Sequence, residues 1–206
     1  MKKYLLLFAV LLSFGAYNAY AQGPFYCPAT QIGACTRWDD YWIYNVDILM
    51  DDGFICKADV KYCRKCCYGK AEYYFAYIKF KDESCRLAHP LTLTSSTFHL
   101  QLLKLFFWAD PFFCDLNEQI PPCPNQSVLM MTLNLAPCYR WGIPTYNVTT
   151  GLYETGLEAC INEVGCYKNY TLCFNGYSIE YTPLSSGYSA ICPTSPGYQS
   201  CFSLCE

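Results

Sequence analysis

The densest chemistry in the chain is the run Cys63-Arg64-Lys65-Cys66-Cys67. A Cys-x-x-Cys pair can act as a redox dithiol when its first thiol sits at a helix N-terminus, which lowers that thiol's pKa. It can also supply half of a zinc site. Here the pair closes a stretch of strand-like alternation, so the activating helix terminus is missing. No His follows Cys66, which removes c-type haem attachment. A four-thiolate zinc centre needs a second close pair, and only Cys201-x-x-x-Cys205 offers one. The cluster is better read as bridging cysteines.

Other chemistry is sparse. His89 precedes Pro90 in a loop-like stretch, and His99 falls on a helical pattern. Neither has neighbours suggesting the oriented base of a nucleophilic set. The chain has no Gly-x-Ser-x-Gly, His-Glu-x-x-His or Gly-rich phosphate loop. Asp39-Asp40 and Asp51-Asp52 lack the ligand spacing of a calcium loop. No catalytic, metal-binding or cofactor-binding residue is therefore assigned, and no cofactor is expected. The aromatic residues, 18 % of the chain with 20 tyrosines, offer a different role. Trp38, Trp42 and Trp141, together with Trp108 and the tyrosines, could form a surface for protein or carbohydrate, since aromatics dominate such contacts. The competing reading makes them core and cross-strand pairs.

What must position these residues begins with export. Met1 to Ala21 has Lys2-Lys3, an apolar run from Tyr4 to Phe14 and a small-x-small Ala19-Tyr20-Ala21, the three parts of a cleavable signal peptide. Its apolar run of about 11 residues is well short of the ~20 that span a bilayer, and no later segment is long and uncharged enough to do so. The expected location is secreted, extracellular or at the cell surface, with the periplasm as a further possibility. The formal net charge of −3 becomes more negative once Lys2 and Lys3 are removed. An acidic chain without a basic run argues against nucleic acid, which demands neutralisation of several phosphates.

All sixteen cysteines follow the signal: Cys27, Cys35, Cys56, Cys63, Cys66, Cys67, Cys85, Cys114, Cys123, Cys138, Cys160, Cys166, Cys173, Cys192, Cys201 and Cys205. An even count in an exported chain implies structural disulfides, whose connectivity spacing does not reveal. Each bridge typically adds ~2–4 kcal/mol.

Along the chain, Tyr41 to Met50 alternates with Trp42, Tyr44, Val46, Ile48 and Met50 expected inward. Asp52-Gly53 has the chemistry of a two-residue type I′ turn. Phe54 to Cys63 puts Cys56, Ala58, Val60 and Tyr62 on one face and Lys57, Asp59 and Lys61 on the other. Tyr68-Gly69-Lys70 turns the chain, and the returning strand shows Tyr74, Ala76, Ile78 and Phe80 on one side. The adjacent Cys66 and Cys67 should point to opposite faces and seek different partners. A helix spans about 95–109, capped by Ser95 or Ser96 and stopped by Asp110-Pro111; its broad apolar surface marks it as core-packed. Gln126 to Ala136 alternates as a strand, and Tyr146 to Thr155 with Gly151 suggests a hairpin. Asn175-Gly176 predicts another two-residue turn, pairing Phe174 with Tyr177 and Leu172 with Ile179. From Pro183 onward the chain reads as Ser/Gly/Pro-rich coil.

Internal similarity adds to this. Cys27-Pro28 matches Cys123-Pro124, Cys35-Thr36-Arg37-Trp38 matches Cys138-Tyr139-Arg140-Trp141, Cys67-Tyr68 matches Cys166-Tyr167, and Cys85 aligns with Cys192, at an offset of roughly 100 residues. The expected organisation is a signal peptide (1–21), a Cys-rich β module ending in the helix (22–110), a Pro-rich linker (111–125) and a second Cys-rich β module (126–206) related by tandem duplication. These tetrads, the Cys-Pro openings and the run Cys56-x-Ala58-x-Val60-x-Tyr62-Cys63-x-x-Cys66 resemble exported Cys-rich proteins of Bacteroidota and Chlorobi-type bacteria. The resemblance implies a bacterial extracellular location and no particular activity; Asn125, Asn147 and Asn169, which open glycosylation sequons, would then be unmodified.

The fold class expected is mainly β, built of antiparallel hairpins and meanders with one main helix, and disulfide-stapled. The expected function is a secreted structural or binding protein and not an enzyme. The alternatives are a small hydrolase using a carboxylate pair, and an inhibitor or toxin-like module presenting a bridge-constrained loop at 183–200.

Overall fold

The computed structural model describes residues 27–28, 35, 37–85, 92–115, 120–123, 130–194 and 200–205. The signal segment 1–21, His89, Asn125 and the stretch 195–199 lie outside the described residues. Strands β1 (Asp39–Leu49), β2 (Ile55–Cys67) and β3 (Lys70–Phe80) form an antiparallel meander. Helix α1 (Ser96–Ala109) follows, then β4 (Met130–Leu135), β5 (Tyr139–Trp141), β6 (Thr145–Asn147), β7 (Leu152–Ala159), β8 (Cys166–Phe174) and β9 (Ile179–Tyr188).

All nine strands belong to one mixed sheet, ordered β1-β2-β3-β4-β8-β9, with β7 attached to β3 and carrying β5 and β6. One strand pair is parallel: β4 lies beside the first half of β3, from Ala71↔Met131 to Phe75↔Leu135. The connection between them contains α1, as parallel neighbours need a long crossover. The second half of β3, from Tyr77 to Phe80, pairs antiparallel with Glu158 to Thr155 of β7. The sheet therefore forks around Phe75–Tyr77. Strands on both sides of residues 111–125 join in this sheet, and their inward side chains share one buried cluster.

The fork would leave backbone groups unpaired where β3 changes partner, and buried polar groups must be satisfied. Tyr139 closes the gap. Its hydroxyl accepts from the Ala136 N–H at 2.9 Å and donates to the Phe75 carbonyl at 2.8 Å. Its ring stacks on Phe75, with centroids 5.4 Å apart. Asn134 performs a similar service one step away, donating to the Tyr73 carbonyl at 3.2 Å.

α1 starts where Ser95 caps it, the Ser95 hydroxyl accepting from the Phe98 N–H at 3.1 Å. Its buried residues, Phe98, His99, Leu102, Leu103, Phe106 and Phe107, cover one face of the sheet. Phe106 stacks on Tyr62 at 4.4 Å, and Phe98 meets Phe75 edge-on. The Gln101 amide also grips β1, accepting from the Leu49 N–H at 2.9 Å and donating to its carbonyl at 2.8 Å.

Several strand expectations are corrected by bulges. Lys57, Asp59 and Lys61 do oppose Ala58, Val60 and Tyr62, but in β1 the register shifts between Ile43 and Val46 at Asn45, whose φ is 54°. The extra residue reverses the alternation. Val46, Ile48 and Met50 still point inward, whereas Trp42 and Tyr44 are on the outer surface. A second bulge sits opposite Lys61 and Tyr62, so that Tyr62 pairs with Phe75 and Lys61 with Tyr77. This puts Tyr74 on the opposite face from Ile78 and Phe80, separating residues expected together.

One turn of the meander also differs. Leu49 pairs with Ile55, and Met50 and Phe54 close around a three-residue loop ending in Gly53 at φ 86°. Asp52 favours that form by accepting from the Phe54 N–H at 3.0 Å. The turn expected at Tyr68-Gly69-Lys70 is there, closed by two residues, Tyr68 and Gly69, both at positive φ between paired Cys67 and Lys70. Beyond Pro183 the chain is not coil: β9 runs on to Tyr188, with Tyr170↔Pro183 and Asn169↔Ser185 flanking a bulge. An edge strand with a bulge can accept a proline, which has no ladder N–H to give.

Seven disulfides staple this framework. Cys27–Cys63 and Cys35–Cys67 fasten the lead-in to one face of β2, while Cys66–Cys114 ties its other face to the chain beyond α1. Cys56–Cys85, Cys123–Cys173, Cys160–Cys201 and Cys166–Cys205 complete the set. Cys138 and Cys192 are unbridged. The pairings do not follow the match expected from the sequence: Cys35 joins Cys67, but Cys138 and Cys166, aligned with them there, are not joined.

Candidate functional site

The cysteine cluster that first suggested chemistry is dispersed by the fold. Cys63, Cys66 and Cys67 take three different partners and none bridges another within the run. Between them, the Arg64 guanidinium lies 3.8 Å from the Tyr41 ring centroid and 4.3 Å from that of Phe113, and it pairs with Asp110 at 2.5 Å. Burial opposes the charge, but the hydrogen bonds that Arg64 donates to Asp110 and Tyr41 hold its pKa above its ordinary value. This stretch is a fastening point between β2, β1 and the end of α1.

A groove of about 570 Å³ opens elsewhere, between the exposed side of α1 and the β8–β9 hairpin. Its walls are Lys104 and Trp108 from α1, Ile120, and Phe174, Tyr177, Ser178, Ile179 and Tyr181 from the hairpin. The size suits a small ligand or one or two side chains of a larger one. Trp108 and Phe174 are exposed, and Tyr177 is 96 % exposed. Tyr181 forms the inner wall, edge-on to Phe107, with the Lys104 ammonium 5.3 Å from its ring centroid. Among the described residues Lys104 makes no ion pair, so its charge faces the groove through a cation–π contact alone. Burial pushes the Tyr181 phenol up to about 12, and its hydroxyl has no hydrogen-bond partner among the described residues.

The turn presenting Tyr177 is held firmly. Phe174 pairs with Ile179 and Leu172 with Tyr181, so the loop has four residues instead of the two expected from Asn175-Gly176. The cause is the Asn175 side chain: its carbonyl accepts from the Tyr177 and Ser178 N–H groups, each at 2.9 Å. Its amide donates to Glu180 at 2.6 Å, and Gly176 supplies the φ of 96°. On the other side, Pro121 to Cys123 lies along the strand end. The Phe174 N–H donates to the Pro121 carbonyl at 2.8 Å and the Cys123 N–H to the Phe174 carbonyl at 2.9 Å, with Cys123–Cys173 locking the pair. Two reinforced segments thus keep an exposed tyrosine over an aromatic cleft.

The chain matches no protein-family model, and comparison with curated proteins and with solved structures returns no significant match.

The three tryptophans singled out from the sequence go to separate places. Trp38 is 6 % exposed, packed edge-on against Tyr74 beneath the Lys65 ammonium, and is core. Trp42 is on the outer sheet surface, stacked on Tyr44 at 5.8 Å and edge-on to Tyr77. Trp141 is half-buried against Phe80. Among the described contacts, each of the three meets a different set of rings. The groove residues Phe174, Tyr177 and Tyr181 were visible only as strand and turn positions, since their exposure depends on the four-residue loop.

The outer-face carboxylates are engaged in ion pairs: Glu154 with Lys79 at 2.6 Å, Glu158 with Arg140 at 2.6 Å, and Asp59 with Lys81. Burial opposes ionisation of Glu154, yet Lys79 and Asn147 hold its carboxyl below the usual range. That is the reverse of what a general acid for glycoside cleavage requires. His99 is fully buried, with Nδ1 2.7 Å from the Lys168 ammonium. Burial, and then the Lys168 charge, lower its pKa to about 3, so the ring is neutral and accepts from the lysine.

Proposed function

We propose that the protein is an extracellular binding protein whose groove takes an apolar or aromatic polypeptide segment bearing a nearby carboxylate. The observation that carries this reading is Tyr177, held almost fully exposed on a turn that its own backbone bonds make rigid. Rigid exposed aromatics cost little ordering entropy on binding and dominate interface energetics. Trp108, Phe174 and Tyr181 supply the apolar lining, and Lys104 is the charged group among the described lining residues, which favours an anionic partner. The seven bridges fit an oxidising compartment, and no helix among the described residues is long and apolar enough to cross a membrane. Export and a cell-surface role belong to the same reading, as does a binding function in place of catalysis.

The test is a titration of the folded protein with dye-labelled peptides of leucine, phenylalanine and glutamate, read by fluorescence anisotropy. Tyr177→Ala should weaken binding at least tenfold, and Lys104→Glu should remove the preference for acidic over neutral peptides, both with unchanged circular dichroism. Binding that ignores both substitutions, or that appears only with soluble β-glucan oligosaccharides, overturns the reading.

A further inference from the structure

Cys138 and Cys192 are the two thiols outside the disulfide framework. Cys138 immediately precedes β5, fully buried beside the fork, and Cys192 is half-buried in the strap that leaves β9. The described residues on either side of 195–199 are both anchored. The N–H groups of Ser189 and Ala190 donate to the Gly165 carbonyl at 2.7 and 3.0 Å, and Tyr139 and Phe202 exchange backbone bonds at 2.8 Å. These anchors bring Cys192 to Cys138, whose thiol interacts with it directly. The sulfurs of Cys138, Cys160 and Cys201 also lie within 4.8 Å of one another, so the unbridged thiol adjoins the Cys160–Cys201 disulfide.

We propose that Cys138 and Cys192 are an oxidation site, converted by a low-molecular-weight disulfide into an eighth bridge that fixes the strap to β5. The Cys192 thiolate, the more accessible of the two, attacks the reagent disulfide. One sulfur–sulfur bond of the reagent breaks, a mixed disulfide forms on Cys192, and the first reagent thiolate leaves and takes a proton. Cys138 then loses its proton and attacks the Cys192 sulfur, forming Cys138–Cys192 and releasing the second reagent thiol. The protein gives up two hydrogens and two electrons, and one reagent disulfide becomes two thiols. Burial, then the adjoining Cys192, pushes the Cys138 thiol up to about 12, which assigns the opening attack to Cys192. Cys138 has two possible targets, the mixed disulfide on Cys192 and the neighbouring Cys160–Cys201 bridge. The strap anchors favour Cys192, because a bond there joins segments already in register and leaves all seven existing bridges intact.

The experiment treats the full folded protein with glutathione disulfide, then denatures it, labels free thiols with a maleimide and maps bridges in a non-reducing digest by mass spectrometry. The expected result is loss of both labels, a mass lower by two hydrogens, a Cys138–Cys192 peptide and the other seven pairs unchanged. Finding that linkage in the protein as isolated has the same meaning. Cys192→Ser should leave Cys138 labelled only after denaturation and remove the rise in melting temperature on oxidation. The proposal is overturned by glutathione retained on Cys192 with Cys138 still labelled, by Cys138 linked to Cys160 or Cys201, or by two thiols that survive treatment.

Discussion

The hydroxyl of Tyr139 donates to the carbonyl of Phe75 at the point where β3 exchanges β4 for β7. One phenol thus completes the hydrogen bonding where the paired β3 and β4 part, just past Phe75 and Leu135. Tyr139→Phe keeps the ring and deletes the bridge, leaving the Phe75 carbonyl and the Ala136 N–H buried without this partner. Each abandoned group costs about 1–3 kcal/mol. A urea titration of the bridged protein should show the midpoint fall accordingly, and an unchanged midpoint would remove Tyr139 from this role.

Tyr181→Phe should behave oppositely. The Tyr181 hydroxyl is buried without a partner among the described residues, so deleting it removes a desolvation cost of about 1 kcal/mol or more. The variant should melt at the same temperature or higher. A clear loss of stability would reveal a hydrogen bond at that oxygen.

Two glycines should tolerate alanine very differently. The atoms nearest a Cβ on Gly156 all belong to the ring end of Tyr77, a half-exposed side chain able to rotate. A Cβ on Gly165 would strike the backbone of Pro137 and Ala136, which cannot give way. Gly156→Ala should cost about 1 kcal/mol, whereas Gly165→Ala should exceed the ~1–3 kcal/mol of ordinary overpacking or prevent folding. Thermal melts of the two variants decide the order.

His99 makes stability depend on acid. Its folded pKa of about 3 lies below the unfolded value near 6.5, so on acidification the unfolded chain takes up the proton first. The associated stability is complete above roughly pH 6.5 and is lost as pH falls toward 3. At pH 5 the loss from this group is about 2 kcal/mol. Denaturant midpoints at pH 7 and pH 5 should differ more in the parent protein than in His99→Gln, which keeps an acceptor for Lys168. Equal slopes would mean that His99 is charged in the fold.

Asn175→Ala should loosen the turn without touching the core. Losing the two acceptor bonds at the Tyr177 and Ser178 N–H groups costs about 1–2 kcal/mol locally and frees Tyr177 to move. Amide exchange at those two positions should accelerate while exchange in β3 stays slow. Uniform acceleration across the sheet would show that the turn is coupled to global unfolding.

The sequence exposed whatever depends on local chemistry. Ser95 and Asp110-Pro111 delimit α1, Tyr68-Gly69 forms its turn, and the adjacency of Cys66 and Cys67 sends them to opposite faces, all from nearest-neighbour physics. Alternation alone could not show where it is interrupted. The bulges at Asn45 and opposite Lys61–Tyr62 invert the faces of Trp42 and Tyr74, and they answer to cross-strand partners such as Asp59, which accepts from the Asn45 N–H at 3.0 Å. The groove was hidden for a related reason. Asn175-Gly176 signals a turn, but its length is set by Asn175 bonding forward to Ser178 and sideways to Glu180. The parallel β3–β4 pair joins residues some sixty positions apart in sequence, beyond any local pattern.

The proline and bulge in β9 have a consequence beyond the strand that holds them. β1 and β9 end the principal strand order, and open strand borders are templates on which identical chains can stack into fibrils. At one border Pro183 offers no N–H and the chain is displaced beside it. At the other, Asn45 breaks the line and the Gln101 amide already occupies Leu49. A tyrosine-rich chain with many exposed rings thus carries obstacles to self-templated growth at both borders, leaving Tyr177 and its cleft available to a different partner.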